Sequence, residues 1–358
     1  MLLEVDSQPV VEQKIQNKLI SLRKFLKDNK IKYENLRSKN ESIVFKVSEN
    51  DINTFNNLFL NKENLVNLYY PNYRSYEMET FIKNNLITIS FSKYGLIELK
   101  NSILDNSLEI VRRRIDEVGT KDPTIIRRGN DRILIELPGL DDPNRVKKLL
   151  GKTANLTFRL ISNAEDSFGS EIIPFEDGSS ELRVNKRIIM SGDSVINAKP
   201  TVDNQNNETV VSFTLNRIGT KKFGRATTKN IGKRLAIILD NKIISAPQIR
   251  EAITGGTGQI SGDFDFQSAT DFALLLRSGA LPAPLNVIEE RTVGPDLGED
   301  SIKAGTISLI IGFFLVIAYM IIRYRILGVI ADLALIINLI LLLGILTILE
   351  ATLTLPGI

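Results

Sequence analysis

The sequence predicts an α+β protein followed by a two-helix transmembrane hairpin, and three observations carry that prediction. Strand-like and helix-like apolar periods alternate from Leu2 to Val293. Two long apolar runs, 302–322 and 326–349, close the chain. Between about 164 and 264 the texture changes to frequent Gly, Ser, Asn and Asp with short strands, which marks a second lobe inserted into the first.

In chain order, residues 12–29 form a basic helix with Ile15, Leu19, Leu22 and Leu26 at helical spacing. Strands follow around 42–47 and 86–91, in a stretch rich in Asn, Lys and Ile, so 1–100 is read as an N-terminal part of the extramembrane domain. Leu104, Leu108, Val111, Ile115 and Val118 make one helical stripe, stopped by Gly119. On the other face Glu109 and Arg113, and Arg112 and Asp116, stand one turn apart as ion pairs. A hairpin is expected at 124–127 and 132–137 around Gly129-Asn130-Asp131. Asp141, Asp142 and Pro143 start a short helix that leads into a strand at 155–161, where Leu156, Phe158 and Leu160 share a face. Helix, two strands, helix, strand is most of a ferredoxin-like βαββαβ unit. The expected division is a ferredoxin-like base over 101–163 and 265–293, with a head lobe over 164–264 inserted in it. Within the head, strands are expected at 179–190, 195–202 and 209–215 and a basic helix at 216–231. A tight hairpin should turn on Asp240-Asn241. Helical spacing returns at 269–278, and 284–293 runs extended towards the first apolar run.

A bilayer core needs about 20 apolar helical residues, so each terminal run can span. Arg323 and Arg325 stand in the link, whereas Asp296, Glu299, Asp300 and Glu350 flank the outer ends. The positive-inside rule puts the link in the cytoplasm and residues 1 to about 300 on the periplasmic side of the inner membrane. Met1-Leu2-Leu3-Glu4-Val5-Asp6 has no basic or apolar leader character, so export of the first domain implies targeting from upstream.

Composition narrows the chemistry. The 358 residues contain no His, Cys or Trp, which removes the usual general base, the thiol nucleophile and the preferred zinc ligands. No carboxylate cluster has metal-site spacing, so neither an enzyme nor a cofactor is expected. A net charge of +3 gives no reason to expect a nucleic-acid partner. Gly151-Lys152-Thr153 imitates a phosphate loop, but Val146 stands where the leading Gly belongs, and a helix leads in rather than a strand. Gly151 is better read as a helix end, and Thr254 to Gly258 as a loop needing left-handed backbone angles. Arg217, Lys221, Lys222, Arg225, Lys229, Lys233 and Arg234 form either a solvated helix face or an attractor of anionic lipid or nucleic acid. An ionisable residue inside a membrane helix is a functional candidate by default. Asp332 and Asn338 are therefore a possible membrane polar site. The alternative is that Asp332 lies near the interface and pairs with Arg323 or Arg325.

Several segments resemble the SecD family of the bacterial Sec export machinery. They are 107–118 (SLEIVRRRIDEV), 149–160 (LLGKTANLTFRL), 232–247 (GKRLAIILDNKIISAP), 274–285 (LLLRSGALPAPL) and 289–302 (EERTVGPDLGEDSI). Ala331-Asp332 and 352–357 (TLTLPG) add to them, as does 2–6 near the start. The resemblance implies a membrane subunit that works with SecF beside the SecYEG channel and uses the proton-motive force to help draw an unfolded preprotein out. It also implies a ferredoxin-like base, an orientable head that holds the emerging chain, and a larger helical membrane domain of which the hairpin is part. Arg291, Gly294, Pro295 and Gly298 would form the junction of domain and membrane. The family has Ser or Thr where Asp296 stands, and its proton-linked Asp would lie beyond Ile358. This segment taken alone is therefore expected to bind a chain without coupling protons. A related exporter of small molecules or lipids is the alternative reading, and a tethered hydrolase would need a Ser–Lys or paired-carboxylate site that no spacing here suggests.

Overall fold

The computed structural model describes residues 1–120, 122–140, 142–162, 169–203, 207–291 and 295–348, with only the backbone described at 292–302 where it falls in these ranges, at 343 and at 346–348. The chain forms two units, Met1–Glu290 and Arg291–Ile358. The first is a mixed α/β body.

Strand β1 (Leu2–Val5) leads into helix α1 (Gln8–Asp28). Ile15, Leu19, Leu22 and Leu26 are buried, as the spacing predicts, and Val11 extends their stripe. The chain then builds β2 (Tyr33–Lys39), β3 (Ser42–Val47), α2 (Glu49–Phe59), the two-residue strands β4 (Tyr69–Tyr70) and β5 (Ser75–Tyr76), β6 (Met78–Lys83) and β7 (Leu86–Phe91). Four of these strands make a sheet in the order β2-β3-β7-β6. Its core is aromatic: Phe45, Phe55 and Phe59 are fully buried, and Phe55 stacks on Phe59 with ring centres 5.1 Å apart. Val47, Ile87 and Ile89 complete it from the strands.

Helix α3 (Lys93–Val118) begins on Ser92, whose hydroxyl accepts from the Gly95 amide, and ends on Gly119 at φ +82°. Gly95 is required there by close approach: a Cβ would lie 2.0 Å from the Glu77 carbonyl oxygen. Next come β8 (Thr124–Arg128), β9 (Arg132–Glu136) and α4 (Pro143–Gly151), the last capped by the Asp142 carboxylate on the Arg145 amide. Asp141 lies outside the described residues. Strands β8 and β9 do not close their sheet with the next strand. The sheet order is β18-β1-β9-β8, where β18 (Leu285–Glu289) is the last strand of the unit. All its pairings are antiparallel, with Val5 opposite Leu285 and Leu3 opposite Ile133. Leu3, Val5, Ile133 and Ile135 pack there against Leu104, Val111 and Ile115 of α3 and Val146 and Leu150 of α4.

Strand β10 (Leu156–Ile161), expected to complete that sheet, pairs instead in a different one. Alternation of Leu156 and Phe158 correctly marks an inward face but carries no information about the neighbouring strands. Here β10 sits at the centre of a five-stranded sheet ordered β11-β12-β10-β15-β16, from β11 (Ser170–Pro174), β12 (Glu181–Ser191), β15 (Leu235–Leu239) and β16 (Lys242–Ser245). The β15–β16 turn has Asp240 and Asn241 both at positive φ, as a two-residue hairpin loop demands. All five residues of β15 are buried. Leu235, Ile237 and Leu239 face the main core, while Ala236 and Ile238 face a second cluster with Ile173, Val184 and Ile243. A three-stranded sheet ordered β13-β14-β17, from β13 (Val195–Val202), β14 (Thr209–Leu215) and β17 (Thr257–Ser261), lies across the main core. Helices α5 (Arg217–Lys229) and α6 (Phe266–Ser278) contribute Phe223, Phe272 and Leu275 to that core. Helix α6 thus shares its core with β10, β14 and β15.

In the second unit, α7 (Pro295–Tyr324) and α8 (Ile326–Ile348) are joined by Arg325 alone, at φ +53°. The segment Lys303–Tyr324 has a mean hydropathy of 2.5 and none of it is buried, unlike a core helix of similar composition. It is long and apolar enough to cross a membrane. The described apolar stretch of α8, Ile326–Leu342, is shorter. Gly328 lets the two helices meet, since a Cβ there would stand 2.2 Å from the Met320 carbonyl oxygen.

Candidate functional site

The chain leaves the β18-β1-β9-β8 layer after α4 and returns to it before β18, so two strands of backbone cross side by side. At this seam the Leu281 amide donates to the Thr153 carbonyl at 2.8 Å. Arg114, on α3 and fully buried, fastens both crossings. Its guanidinium donates to the carbonyls of Leu149 (2.7 Å), Lys152 (2.5 Å) and Thr153 (3.3 Å) on the outgoing chain, and of Gly279 (3.2 Å) on the returning one. Burial lowers its pKa to about 10, with nearby Asp240 opposing the shift, so the group stays charged at neutral pH. The first three carbonyls lie at the end of α4, where the helix leaves acceptors without internal partners. Asp240, in the β15–β16 turn, holds the same segment as well. Its carboxylate accepts from the Thr153 hydroxyl, the Ala154 amide (3.0 Å) and the Asn155 amide (2.8 Å).

Two ion pairs flank the seam. Arg145 of α4 reaches Asp271 of α6 at 2.7 Å, and Arg277 of α6 meets Glu117 of α3 at 2.5 Å while also donating to the Ala198 carbonyl. Both are partly exposed.

Beside the seam lies a cleft of about 560 Å³. Phe175, Leu239, Ile243, Ile244, Phe264 and Phe272 supply its apolar floor. Phe264 stacks on Phe272 at 5.5 Å. Charges of both signs rim it: Lys148 from α4, Lys152 just after its end, and Glu176, Asp177, Asp263 and Asp271. The Asp177 carboxyl is held below its usual range by hydrogen bonds from the Ser179 amide and hydroxyl, so that rim position is anionic. Such a cleft can take apolar groups on its floor and charged or polar groups at its rim. A larger concavity, about 690 Å³, lies between α1 and the loop after α2, but Lys, Asn and Ser side chains dominate its walls.

The residues singled out from sequence fall elsewhere. Asp332 is buried on α8, and its Oδ2 has no hydrogen-bond partner among the described residues. Among those residues no ion pair joins it to Arg323 or Arg325; Arg323 instead lies over the Tyr324 ring, 5.8 Å from its centre. Asn338, six residues on, is exposed, so the structure does not bring the two together. Arg291 is exposed, Pro295 and Gly298 lie in the first turns of α7, and Gly294 is outside the described residues. Glu109 pairs with Arg113 as expected, whereas no ion pair joins Arg112 to Asp116 among the described residues. Sequence reasoning missed Arg114, although a signal exists. It falls three residues after Val111 and next to Ile115, on the buried stripe that also holds Ser107, so its charge interrupts a face that is otherwise inward.

Comparison with known proteins gives consistent matches along the chain. Family models match residues 104–163 ("Protein translocase subunit SecDF, P1 domain, N-terminal"), 170–283 ("SecDF, P1 head subdomain") and 280–358 ("Protein export membrane protein SecD/SecF, C-terminal"). The protein translocase subunit SecD of Rickettsia conorii is 40% identical over 370 residues, covering 100% of this chain and 69% of its own length. That of Acetobacter pasteurianus is 51% identical over 258 residues, covering 70% of this chain and 50% of its own. A crystal structure of SecDF in a super-membrane-facing form is 34% identical, with a TM-score of 0.51, covering 72% of this chain and 37% of that one.

Proposed function

Because the chain belongs to the SecD family of protein translocase subunits, membrane components of protein export, we propose that its inserted lobe holds an unfolded preprotein in the cleft beside the seam. The observation that carries this reading is the cleft's composition, an apolar floor ringed by both signs of charge. Such a surface binds unfolded chain without reading its sequence, because burial of apolar area is non-directional. The β-α-β-β-α-β order of β1, α3, β8, β9, α4 and β18, with β18 next to β1 and β9 next to β8, supports a ferredoxin-like base on which the lobe is mounted. The lobe then runs from β10 to α6, with the crossings at 152–155 and 279–281 as its attachment.

In this reading helices α7 and α8 act as a transmembrane hairpin within a larger helical domain, and Arg323 and Arg325 support a cytoplasmic link by the positive-inside rule. Residues 1–290 then face the periplasm. The partners are SecF and the SecYEG channel, and the complete protein draws on the proton-motive force; no catalytic chemistry is assigned. Asp332 serves as a membrane polar group in ion coupling or helix packing.

The cleft is tested with a photo-crosslinking residue at Phe264 or Ile244 in cells exporting an arrested preprotein. Adducts are expected at both positions and not at Phe81, exposed on β6. Equal adducts at all three, or none at the cleft, would remove the reading. Because the chain has no Cys, Ile126→Cys reports orientation: labelling by a membrane-impermeant maleimide from outside the inner membrane is expected. For Asp332→Asn, export should fall at low proton-motive force, and unchanged export there would discard the polar role.

A further inference from the structure

Helix α5 and the turn after it carry seven cations, Arg217, Lys221, Lys222, Arg225, Lys229, Lys233 and Arg234, and residues 216–234 contain no acid. The whole chain has a net charge of only +3, so the rest of it is net negative. All seven are exposed, and none is ion-paired among the described residues. Arg217, Lys221, Arg225 and Lys229 recur at steps of four and therefore stand in one row, about 18 Å long. Like charges one turn apart destabilise a helix, so folding alone does not favour this row.

The inward side of α5 explains why the cations share the outer face. Gly219 lies against Ser194 and Gly224 against the backbone at Ile253–Thr254, while Phe223 and Thr227 are buried. Along the row runs a groove of about 460 Å³ whose walls include Thr220, Lys221, Arg225, Thr228, Lys229 and Thr254. Near the two ends of the segment Ile218 and Ile231 are 64% and 54% exposed.

We propose that this face of α5 is a docking surface for an anionic phospholipid bilayer. A regular row of unpaired cations complements a plane of phosphates, and the exposed isoleucines at its ends suit insertion among headgroups. A bilayer is also always at hand for a chain that carries a membrane-spanning helix, so modest affinity suffices through effective concentration. An acidic polypeptide is the competing occupant. It would have no use for the row's even spacing or for the flanking isoleucines.

The test uses the full chain with Ile218→Cys as its single cysteine, labelled with an environment-sensitive fluorophore. It is reconstituted in vesicles of phosphatidylcholine alone, or of phosphatidylcholine with phosphatidylglycerol, each doped with a headgroup spin-labelled quencher. Quenching is expected only with phosphatidylglycerol, should fade at high salt, and should weaken roughly a hundredfold in apparent partitioning when Lys221, Lys222 and Arg225 are all changed to Gln. Equal quenching in both vesicles, or quenching that survives the triple change, would overturn the proposal. It would also be overturned if poly-glutamate shifted the label's emission in neutral vesicles while phosphatidylglycerol had no effect.

Discussion

Arg114 offers the sharpest test of how the two crossings are held. Three replacements separate its contributions. Arg114→Met keeps most of the volume but removes every donor; Arg114→Ala also opens a cavity; Arg114→Lys keeps the charge but loses the planar fork. Each charge-assisted hydrogen bond is worth about 1.5–3 kcal/mol, yet desolvation of the buried cation offsets several kcal/mol of that sum. The net loss is therefore set by the acceptors left behind. The carbonyls of Leu149, Lys152 and Gly279 lose this donor, while that of Thr153 keeps the Leu281 amide, at a partly buried site; at about 1 kcal/mol each the Met variant should lose roughly 3 kcal/mol. Ala adds cavity cost and should lose more, while Lys, reaching two or so of the carbonyls, should lose about 2 kcal/mol. Thermal unfolding of the fragment Met1–Glu290 would register the Met change as a fall in Tm of about 5 °C. Hydrogen exchange at the Leu281 amide, bonded to Thr153 across the seam, should speed up with it. A Met variant as stable as the parent would refute this reasoning. That result would mean the cation behaves like a buried ion pair that apolar packing can replace without loss.

Three further outcomes follow from local geometry. Asp240→Asn leaves one oxygen acceptor where a carboxylate served three donors, so urea denaturation should show a loss of roughly 1–2 kcal/mol; an unchanged midpoint would remove Asp240 from the seam. Gly95→Ala puts a Cβ 2.0 Å from the Glu77 carbonyl, which cannot yield without moving β5–β6, so a loss of roughly 2–3 kcal/mol and faster exchange at the Ser92 amide are expected. The Tyr70 phenol is pushed up to about 12 by burial and then by the carboxylates of Glu77 and Glu98. An unfolded tyrosine deprotonates near 10, so between pH 10 and 12 the unfolded state gives up a proton that the folded state keeps, and stability falls as pH rises. Tyr70→Phe should flatten that fall in urea midpoints, and an identical slope would show that Tyr70 does not titrate as its surroundings demand.

What the sequence made legible was whatever one segment decides by itself. Ile15, Leu19, Leu22 and Leu26 had to share a helix face, and all four are buried. Gly119 and the Asp240-Asn241 turn had to take positive φ, and they do. Periodicity stops short of partnership. Nothing in Leu2–Val5 says that one neighbour is Leu285–Glu289, from the far end of the unit, and nothing in Leu156–Ile161 says which sheet will accept it. The same limit hid the candidate site. The cleft draws on α4, β15, β16 and α6, and Arg114 reads as one more cation in a run of three until the carbonyls of Leu149 and Gly279 are placed beside it.

These placements bear on how such a lobe would work. A lobe joined to its base by two adjacent crossings can change its angle without breaking either sheet, because no strand pairing of β18-β1-β9-β8 extends into it. The contacts that a change of angle would exchange are the partly exposed pairs Arg145–Asp271 and Arg277–Glu117, each worth about 1 kcal/mol or less. The contacts that would persist are those of Arg114 and Asp240, which hold the crossing backbone. Of the cleft's charges, Lys148 belongs to α4 and Lys152 to the crossing after it, while Asp263 and Asp271 would belong to the lobe. A small rotation about the seam would therefore widen or narrow the apolar floor between them. Removing Asp271 by Asp271→Asn should ease that rotation and leave the core intact. Crosslinks from Phe264 to an arrested preprotein should then change in yield while the Tm of Met1–Glu290 stays within a few degrees of the parent. A large fall in Tm with unchanged crosslinks would mean that the pair holds the fold together and does not set the angle of the lobe.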